Sequence, residues 1–392
     1  MLTFAVIADD LTGAADTGVQ LVHAGYRTAV FFRLSEVPDD LDAVSFDTDS
    51  RAMPAGFAAK RVLEAAHAVR EARIVYKKLD STLRGNVAAE LAAALGAARR
   101  DRAVVAPAFP AAGRTTVGGT QLVHGVPVDE TEMGNDPRTP AREAHIPELL
   151  ADAFSSIGTM SVEDLADPQR VSRTLEEHEC VVADAEREED LEALVRAVPD
   201  PSSVLWAGSA GLAHALGSVY PGPHAGEARA LSTAARPVLV VIGSLSGVAR
   251  EQLRRLVGEY GEVAVPVLAG GPERTVAAVR EALAGRACAV VHSPEERSEE
   301  PVLGPLAEVA ARLSEEELFG GLVLTGGDTA VGVARRLGAS GIRLEGEVET
   351  GVPMGTLIGP RPYPVVTKAG GFGGPGTLVG AVEALCAEER KP

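Results

Sequence analysis

The sequence predicts an α/β protein of two domains, each a mostly parallel sheet flanked by helices. Three observations carry this prediction. The chain has 392 residues, and at roughly 100–200 residues per domain two is the natural division. Short β-branched runs alternate with longer amphipathic stretches, the pattern of βαβ units. That rhythm lapses once, over Ser218–Arg236, which gathers Pro, Gly and Ala, and then resumes. The domains are therefore placed at 1–225 and 236–392, with the lapse as the hinge.

The elements follow in order. Strands are expected at Leu2–Ala8, Arg27–Phe32, Ala43–Phe46, Ile74–Lys77 and Ala103–Ala106, with helices at Thr12–Ala24, Ala55–Ala72 and Val87–Arg99. Pro107–Pro140 breaks the pattern with Pro, Gly, Thr and Asp. A connection this long is either functional or irregular, so it reads as a substrate lid or a surface excursion. His124 and His145 flank its end. Helix Glu163–Glu177, strand Cys180–Asp184, helix Glu188–Ala197, strand Ser203–Trp206 and a helix from Ser209 complete the first half. In the second half, strands are expected at Pro237–Ile242, Glu262–Val265, Ala287–His292, Gly321–Leu324, Ile342–Val348, Thr356–Ile358 and Pro364–Lys368. Helices are expected at Glu273–Ala284, Leu303–Leu318, Thr329–Leu337 and Thr377–Ala387.

Composition excludes several classes. Hydrophobic residues make up 46% and charged residues 23%, too apolar for disorder. A net charge of -18 argues against nucleic-acid binding. It also means that any anionic substrate needs local basic groups. The three cysteines, Cys180, Cys288 and Cys386, have no metal-ligand spacing and fit a reducing cytoplasm. No apolar run reaches the ~18–20 residues of a membrane span. Nothing resembles a secretion signal, which speaks against a secreted effector.

In open α/β sheets ligands bind beyond the carboxyl ends of the strands. Four turns there are unusually polar: Ala8–Gly13, Asp47–Arg51, Lys77–Asn86 and Pro107–Thr116. Arg51, Lys78, Arg84 and Arg114 can hold a carboxylate, and an arginine fork suits bidentate recognition. Asp9, Asp10, Asp49 and Asp80 can bind hydroxyls, take a proton or hold a metal. Asp10, Thr12 or Ser50 can equally be helix caps, and Lys77 a solvated strand end. In the second half three glycine turns open helices or precede one: Gly243–Gly247, Thr325–Thr329 and Lys368–Thr377. A strand, a glycine turn and a helix N-terminus together present backbone N–H groups to phosphate. Gly371–Gly376 matches GxGxxG, but the 16 residues that follow leave no room for the strand and acidic residue of a dinucleotide fold. A nicotinamide-dependent dehydrogenase is disfavoured on that ground. No GxxxxGK[ST] occurs.

Seven motifs, read together, resemble the four-carbon acid sugar kinase family. They are Ile7–Gly18 (IADDLTGAADTG), Asp47–Arg51 (DTDSR), Tyr76–Asn86 (YKKLDSTLRGN), Ala106–Thr116 (APAFPAAGRTT), Val126–Pro137 (VPVDETEMGNDP), Leu324–Ala330 (LTGGDTA) and Lys368–Gly373 (KAGGFG). The resemblance spans nearly the whole chain and is nearest in form to the D-threonate and D-erythronate kinases; 3-oxo-tetronate kinases are the alternative. It implies a sugar-acid-binding N-terminal domain, an ATP-binding C-terminal domain, and an active site in the cleft between them. The implied reaction is transfer of the γ-phosphoryl group to a 4-hydroxyl, with Mg²⁺ whose ligands the sequence does not name.

The acid-site residues that the resemblance implies are Asp9, Arg51, Asp80, Ser81, Thr82 and Leu83; the polar turns themselves add Asp10, Lys78 and Arg114. Asp9 is first choice as the base, then Asp80, then Asp10. The implied nucleotide contacts are Ser244, Gly326, Gly327, Asp328, Thr329, Gly370, Gly371, Phe372 and Gly373. A sugar-acid sensor would use the same clamp but would not need the glycine turns. The implied setting is cytoplasmic, with no membrane or nucleic-acid partner. No motif encodes the oligomeric state, and a homodimer is compatible with the sequence.

Overall fold

Strands buried on both faces need apolar side chains at nearly every position, and this chain supplies them as short runs. The computed structural model describes residues 2–227, 235–268, 271–294 and 302–387. Of the expected hinge, residues 228–234 lie outside the described residues. The chain divides into two units, Met1–Gly226 and Glu227–Pro392.

In the first unit the strands are β1 (Phe4–Ala8), β2 (Thr28–Phe31), β3 (Ala43–Asp47), β4 (Ile74–Lys78), β5 (Arg102–Ala106), β6 (Arg114–Val117), β7 (Thr120–Val123), β8 (Val126–Pro127), β9 (Ile157–Met160), β10 (Cys180–Ala183) and β11 (Val204–Gly208). The helices are α1 (Leu11–His23), α2 (Ala55–Val69), α3 (Val87–Ala98), α4 (Ile146–Leu150), α5 (Pro168–Glu177), α6 (Glu188–Ala197) and α7 (Ala210–Val219). Eight strands form a parallel sheet in the order β2-β3-β1-β4-β11-β5-β10-β9. From β1 the chain winds out to β3 and β2 on one side, then crosses to β4 on the other. The crevice beyond β1 and β4 is thus a topological switch point, where such sheets bind ligands. One core cluster joins Phe4, Tyr76, Val104 and Trp206 of the strands to Leu191, Leu194, Leu212 and Leu216 of α6 and α7. Buried Trp206 donates its indole N–H to the Pro201 carbonyl at 2.9 Å, as a buried indole must.

Three expectations need correction. Part of Pro107–Pro140 is ordered: β6, β7 and β8 form an antiparallel three-stranded sheet, its turns made by Gly118, Gly119 and Gly125 in the left-handed region. The expected helix Glu163–Glu177 is two pieces, a 3₁₀ turn over Glu163–Ala166 and then α5. Asp167 caps α5, accepting from the N–H groups of Gln169 and Arg170, and Pro168 takes the first helical position. Lys77 is no solvated strand end; it is 1% exposed. Two elements went unexpected, α4 and the short edge strand β9.

In the second unit the strands are β12 (Val238–Ile242), β13 (Ala264–Pro266), β14 (Cys288–His292), β15 (Gly321–Thr325), β16 (Gly341–Glu347), β17 (Pro353–Ile358) and β18 (Pro364–Lys368). The helices are α8 (Gly247–Tyr260), α9 (Pro272–Leu283), α10 (Leu303–Glu315), α11 (Gly327–Arg336) and α12 (Thr377–Cys386). The strand order is β13-β14-β12-β15-β18-β17-β16. The first five are parallel, and β17 and β16 close the sheet as antiparallel strands. Pro353 and Pro364 stand at strand starts, where a missing N–H costs the ladder least. Val238, Val240, Leu256, Val323, Val366 and Leu378 belong to its core cluster. No helix of the described residues is long and apolar enough to cross a membrane. The three cysteines are free and buried.

Candidate active site

In the first unit the turn after β3 is fastened to the turn after β1. The backbone N–H of Thr48 donates to the Ala8 carbonyl at 2.9 Å, and that of Ser50 to the Asp9 carbonyl at 2.9 Å. This brings Arg51 over the two aspartates. Its Nε and Nη2 donate to Oδ2 and Oδ1 of Asp9, both at 2.8 Å, and its Nη1 donates to Oδ2 of Asp10 at 2.6 Å. The other oxygen of Asp10 accepts from the Gly13 N–H at 2.8 Å and caps α1. Asp10 is therefore both a cap and a member of the cluster, whereas Ser50 caps nothing and donates to Glu90 at 2.7 Å. Gly85, at φ +95°, completes the floor. A Cβ there would stand 3.1 Å from Asp9 Oδ2 and 3.2 Å from Arg51 Cγ, so the position admits no side chain without displacing the pair.

The same turn places the second carboxylate. Thr82 Oγ1 and Arg84 Nε each donate to Asp80 Oδ2 at 2.6 Å. Arg84 Nη1 lies 3.5 Å from Asp136. Leu83 takes a left-handed backbone, φ +55°, which folds Asp80–Leu83 into a tight loop. The Ser81 carbonyl accepts from Nε2 of buried Gln121 at 2.7 Å, and Gln121 Oε1 accepts from Thr116 Oγ1 at 2.7 Å. Through Gln121 the three-stranded sheet rests directly on this turn. Asp184 docks the same hairpin by accepting from the N–H groups of Gly118 and Gly119 at 2.7 and 2.8 Å. Lys78 Nζ donates to the Leu79 carbonyl at 2.8 Å. Arg114 bonds the Ala112 carbonyl of its own turn. His124 lies against Gly113, and His145 lies 3.7 Å from Glu148 on α4.

Electrostatics separates the carboxylates. Burial pushes Asp9 up, but Arg51, Lys77 and Lys78 outweigh it and hold the group below its ordinary range. Asp10 goes the other way: burial and the charge of Asp9 leave it raised despite Arg51. Asp80 is buried too, yet Arg51, Arg84 and Lys78 hold it well below a normal carboxyl. Asp47, which the motif reading passed over, is pushed up to about 7 by burial and by Asp10, Asp49 and Asp9, although it accepts from the Asp49 N–H. Below these lies a buried pair. Lys77 Nζ stands 2.9 Å from Glu90 Oε2, with side-chain exposures of 1% and 3%. Sequence reasoning missed Glu90 and Gln121, and gave Asp47, quoted at the head of DTDSR, no role of its own. Glu90 and Gln121 carry no local signal, because a helix glutamate and a hairpin glutamine read as surface until the partner is seen.

In the second unit the three glycine turns follow adjacent strands β12, β15 and β18. Gly243 N–H donates to the Thr325 carbonyl at 3.2 Å, and Gly326 N–H to the Lys368 carbonyl at 2.8 Å. Ser246 caps α8 through the Ala249 N–H at 3.1 Å and donates to the Gly370 carbonyl at 2.7 Å. The approach is too close for side chains. A Cβ on Gly243 would lie 1.9 Å from Thr329 Oγ1, and one on Gly370 would lie 2.0 Å from Ser244 Oγ. Gln252 Nε2 donates to the carbonyls of Phe372 and Gly374, both at 2.9 Å. Gly327 and Asp328 lie in the first turn of α11 after Gly326. Gly371 faces open space, Gly373 adopts φ +83°, and Phe372 is 48% exposed. A buried hydroxyl, Thr325 Oγ1, has no hydrogen-bond partner. Small residues, a helix N-terminus and an unsatisfied hydroxyl suit a phosphate-bearing ligand.

Comparison with known proteins fits this division. Residues 4–216 match a family model described as a sugar-binding N-terminal domain, and residues 239–378 match a nucleotide-binding C-terminal domain. The chain is 38% identical to a D-threonate kinase of Salmonella typhimurium, over 96% of this chain and 97% of that one. It is 32% identical to a D-erythronate kinase of Heliobacterium modesticaldum, over 98% and 96%. The chain belongs to the four-carbon acid sugar kinase family. It is a phosphotransferase that acts on a small molecule. The family also includes a 3-oxo-tetronate kinase of Methylobacterium radiotolerans, 30% identical over 95% of this chain and 97% of that one. A crystal structure of a Salmonella typhimurium protein shares the fold, with a TM-score of 0.83 at 25% identity, covering 97% of this chain and 99% of the other.

Proposed function

We propose that this enzyme transfers the γ-phosphoryl group of ATP to the 4-hydroxyl of a four-carbon sugar acid, D-threonate or D-erythronate, giving the 4-phosphate. The observation that carries the acid site is Arg51. Its guanidinium has five N–H donors, three of which go to Asp9 and Asp10. The remaining two can receive the substrate's C1 carboxylate in a bidentate pair. Lys78 and the Asp80–Leu83 turn orient the hydroxyls. Asp9 orients the reacting 4-hydroxyl and accepts its proton late. Its depressed pKa is no obstacle, because in a loose phosphoryl-transfer transition state positioning counts for more than base strength. Asp80 and then Asp10 are the alternatives for that role.

The nucleotide's phosphates are assigned to Ser244, Gly326–Thr329 and Gly370–Gly373. The Mg²⁺ that neutralises them travels with the triphosphate, and Asp328 in the first turn of α11 is the carboxylate offered to it. A 3-oxo-tetronate acceptor is the second reading, since relatives of that name also match along most of the chain. The cytoplasm, where ATP is plentiful, is the proposed setting.

The test is an ATP-consumption assay with Mg²⁺ on D-threonate, D-erythronate, their L-isomers and 3-oxo-tetronate, each against a blank without acid. The expected result is a kcat/KM for D-threonate or D-erythronate well above the rest. Turnover of 3-oxo-tetronate alone would favour the second reading, and ATP binding without turnover of any acid would leave a sensor. A paired substitution tests the nucleotide turn. Gly371→Val meets nothing within 4 Å, so it should leave thermal stability unchanged while raising the KM for ATP and sparing that for the acid. Gly370→Ala drives a Cβ into Ser244 and should lower both stability and nucleotide affinity. An unchanged KM for ATP in the valine variant would remove Gly371 from the site.

A further inference from the structure

We propose that Lys368 is a direct contact of the donor nucleotide's terminal phosphates, a role that rests on the kinase reading and extends it to a residue not among the nucleotide contacts assigned above. Lys368 ends β18 and is 3% exposed. Its Nζ donates to the Ala369 carbonyl at 2.8 Å and reaches the Gly370 carbonyl only at 3.5 Å. An ammonium has three N–H donors, so a buried cation here has one good partner, one marginal partner and a donor to spare. Burying a charge so incompletely satisfied is costly unless a ligand completes it.

The neighbours point to that ligand's chemistry. Thr325 pairs with Lys368 across β15 and β18, so the two side chains stand side by side on one face of the sheet. Thr325 Oγ1 is buried and has no partner. Gly326, which precedes α11 as its N-cap, donates to the Lys368 carbonyl and brings the first helical N–H groups alongside. A cation, an unsatisfied hydroxyl and a helix N-terminus at adjacent strand ends make a donor set for phosphate oxygens. Lys368 is also the only lysine among the described residues of this unit. The opposing charge is Glu349, whose carboxylate is engaged by Thr377 Oγ1. Asp328 lies in the first turn of α11, and Arg250 of α8 is committed to the carbonyls of Ser293 and Pro294.

Burial lowers the free lysine to about 8, against a partly compensating Glu349. An incoming triphosphate binds the charged amine, so affinity should be constant below that pH and fall about tenfold per unit above it.

The experiment titrates ATP and AMP calorimetrically into the full chain as wild type, Lys368→Met and Lys368→Arg. Melting curves verify that each variant is folded. We expect the methionine variant to weaken ATP roughly 10–100-fold, the worth of charge-assisted bonds, and AMP less than about threefold, with arginine partly restoring ATP. Equal loss of ATP and AMP would mean that Lys368 only braces the turn, and would overturn the inference. Should the methionine variant not fold, Lys368→Gln is titrated in its place, and an equal loss of ATP and AMP there likewise overturns the inference. Wild-type protein that binds no ATP at all would instead bring down the kinase reading itself.

Discussion

Asp9→Asn should lower kcat roughly 10²–10⁴-fold, the usual contribution of a positioned base, while the protein stays folded. The substitution keeps size and shape. Arg51 retains its bond to Asp10 and one bond to the amide oxygen, while the amide N–H₂ faces its other donor, so some stability is lost but Arg51 keeps a carboxylate partner. What disappears is the second carboxylate oxygen beside the reacting hydroxyl. Asp80→Asn is the informative comparison. Asp80 accepts from Thr82 and from Arg84, so its loss should loosen the Asp80–Leu83 turn and appear mainly as a raised KM for the acid. Steady-state kinetics on the two variants, varying acid and ATP separately, read the difference. Near-normal kcat for Asp9→Asn would pass the base role to Asp80, and then to Asp10.

A second large effect is expected below the site. Lys77→Met strands Glu90 as a buried unpaired carboxylate, which typically costs about 3–5 kcal/mol. At about 2–4 °C per kcal/mol for a domain of this size, the melting temperature should fall by roughly 6–20 °C. The pair itself is a different matter. Replacing both members, Lys77→Met with Glu90→Gln, removes the stranded charge and leaves an acceptor for Ser50, so most of the loss should return. Melting the single and double variants measures the coupling. Additive losses, or a Lys77→Met penalty under about 1 kcal/mol, would mean that this ion pair contributes little.

Much of the architecture was legible because the parallel strands are nearly unbroken apolar runs. Helix Glu188–Ala197 and strand Pro364–Lys368 were placed to the residue, since a clear acidic start or a strand-initial proline marks each. The convergence of the turns after β1, β3 and β4 was also predictable, because parallel strands put all their carboxyl ends on one side. The pairing within the convergence was not. Whether Arg51 meets Asp9, Asp10 or Asp80 depends on strand order, which periodicity does not encode. The alternative of Lys77 as a solvated strand end fails for a related reason. A lysine at a strand end is normally solvated, and only α3 laying Glu90 beneath it makes burial tolerable. The three-stranded sheet was hidden by its composition, since the Pro and Gly that build its hairpins are those that signal irregular chain.

The way that small sheet is attached has a consequence for how this scaffold can diversify. It meets the Asp80–Leu83 turn through Gln121 on the Ser81 carbonyl, and is held to the rest of the unit by Asp184 on the amides of Gly118 and Gly119 and by backbone bonds from Thr116 to Ala185 and from Gln121 to Ala144. Its outward residues, Val117 and Val126 among them, are exposed. Substitutions at those tips can alter the surface of the small sheet without disturbing the packed parallel sheet or the Asp9–Arg51 pair. On the proposed assignment of the acid site, the surface of this small sheet and the Asp9–Arg51 pair can change independently, so a lineage could vary one while the other stayed as it is.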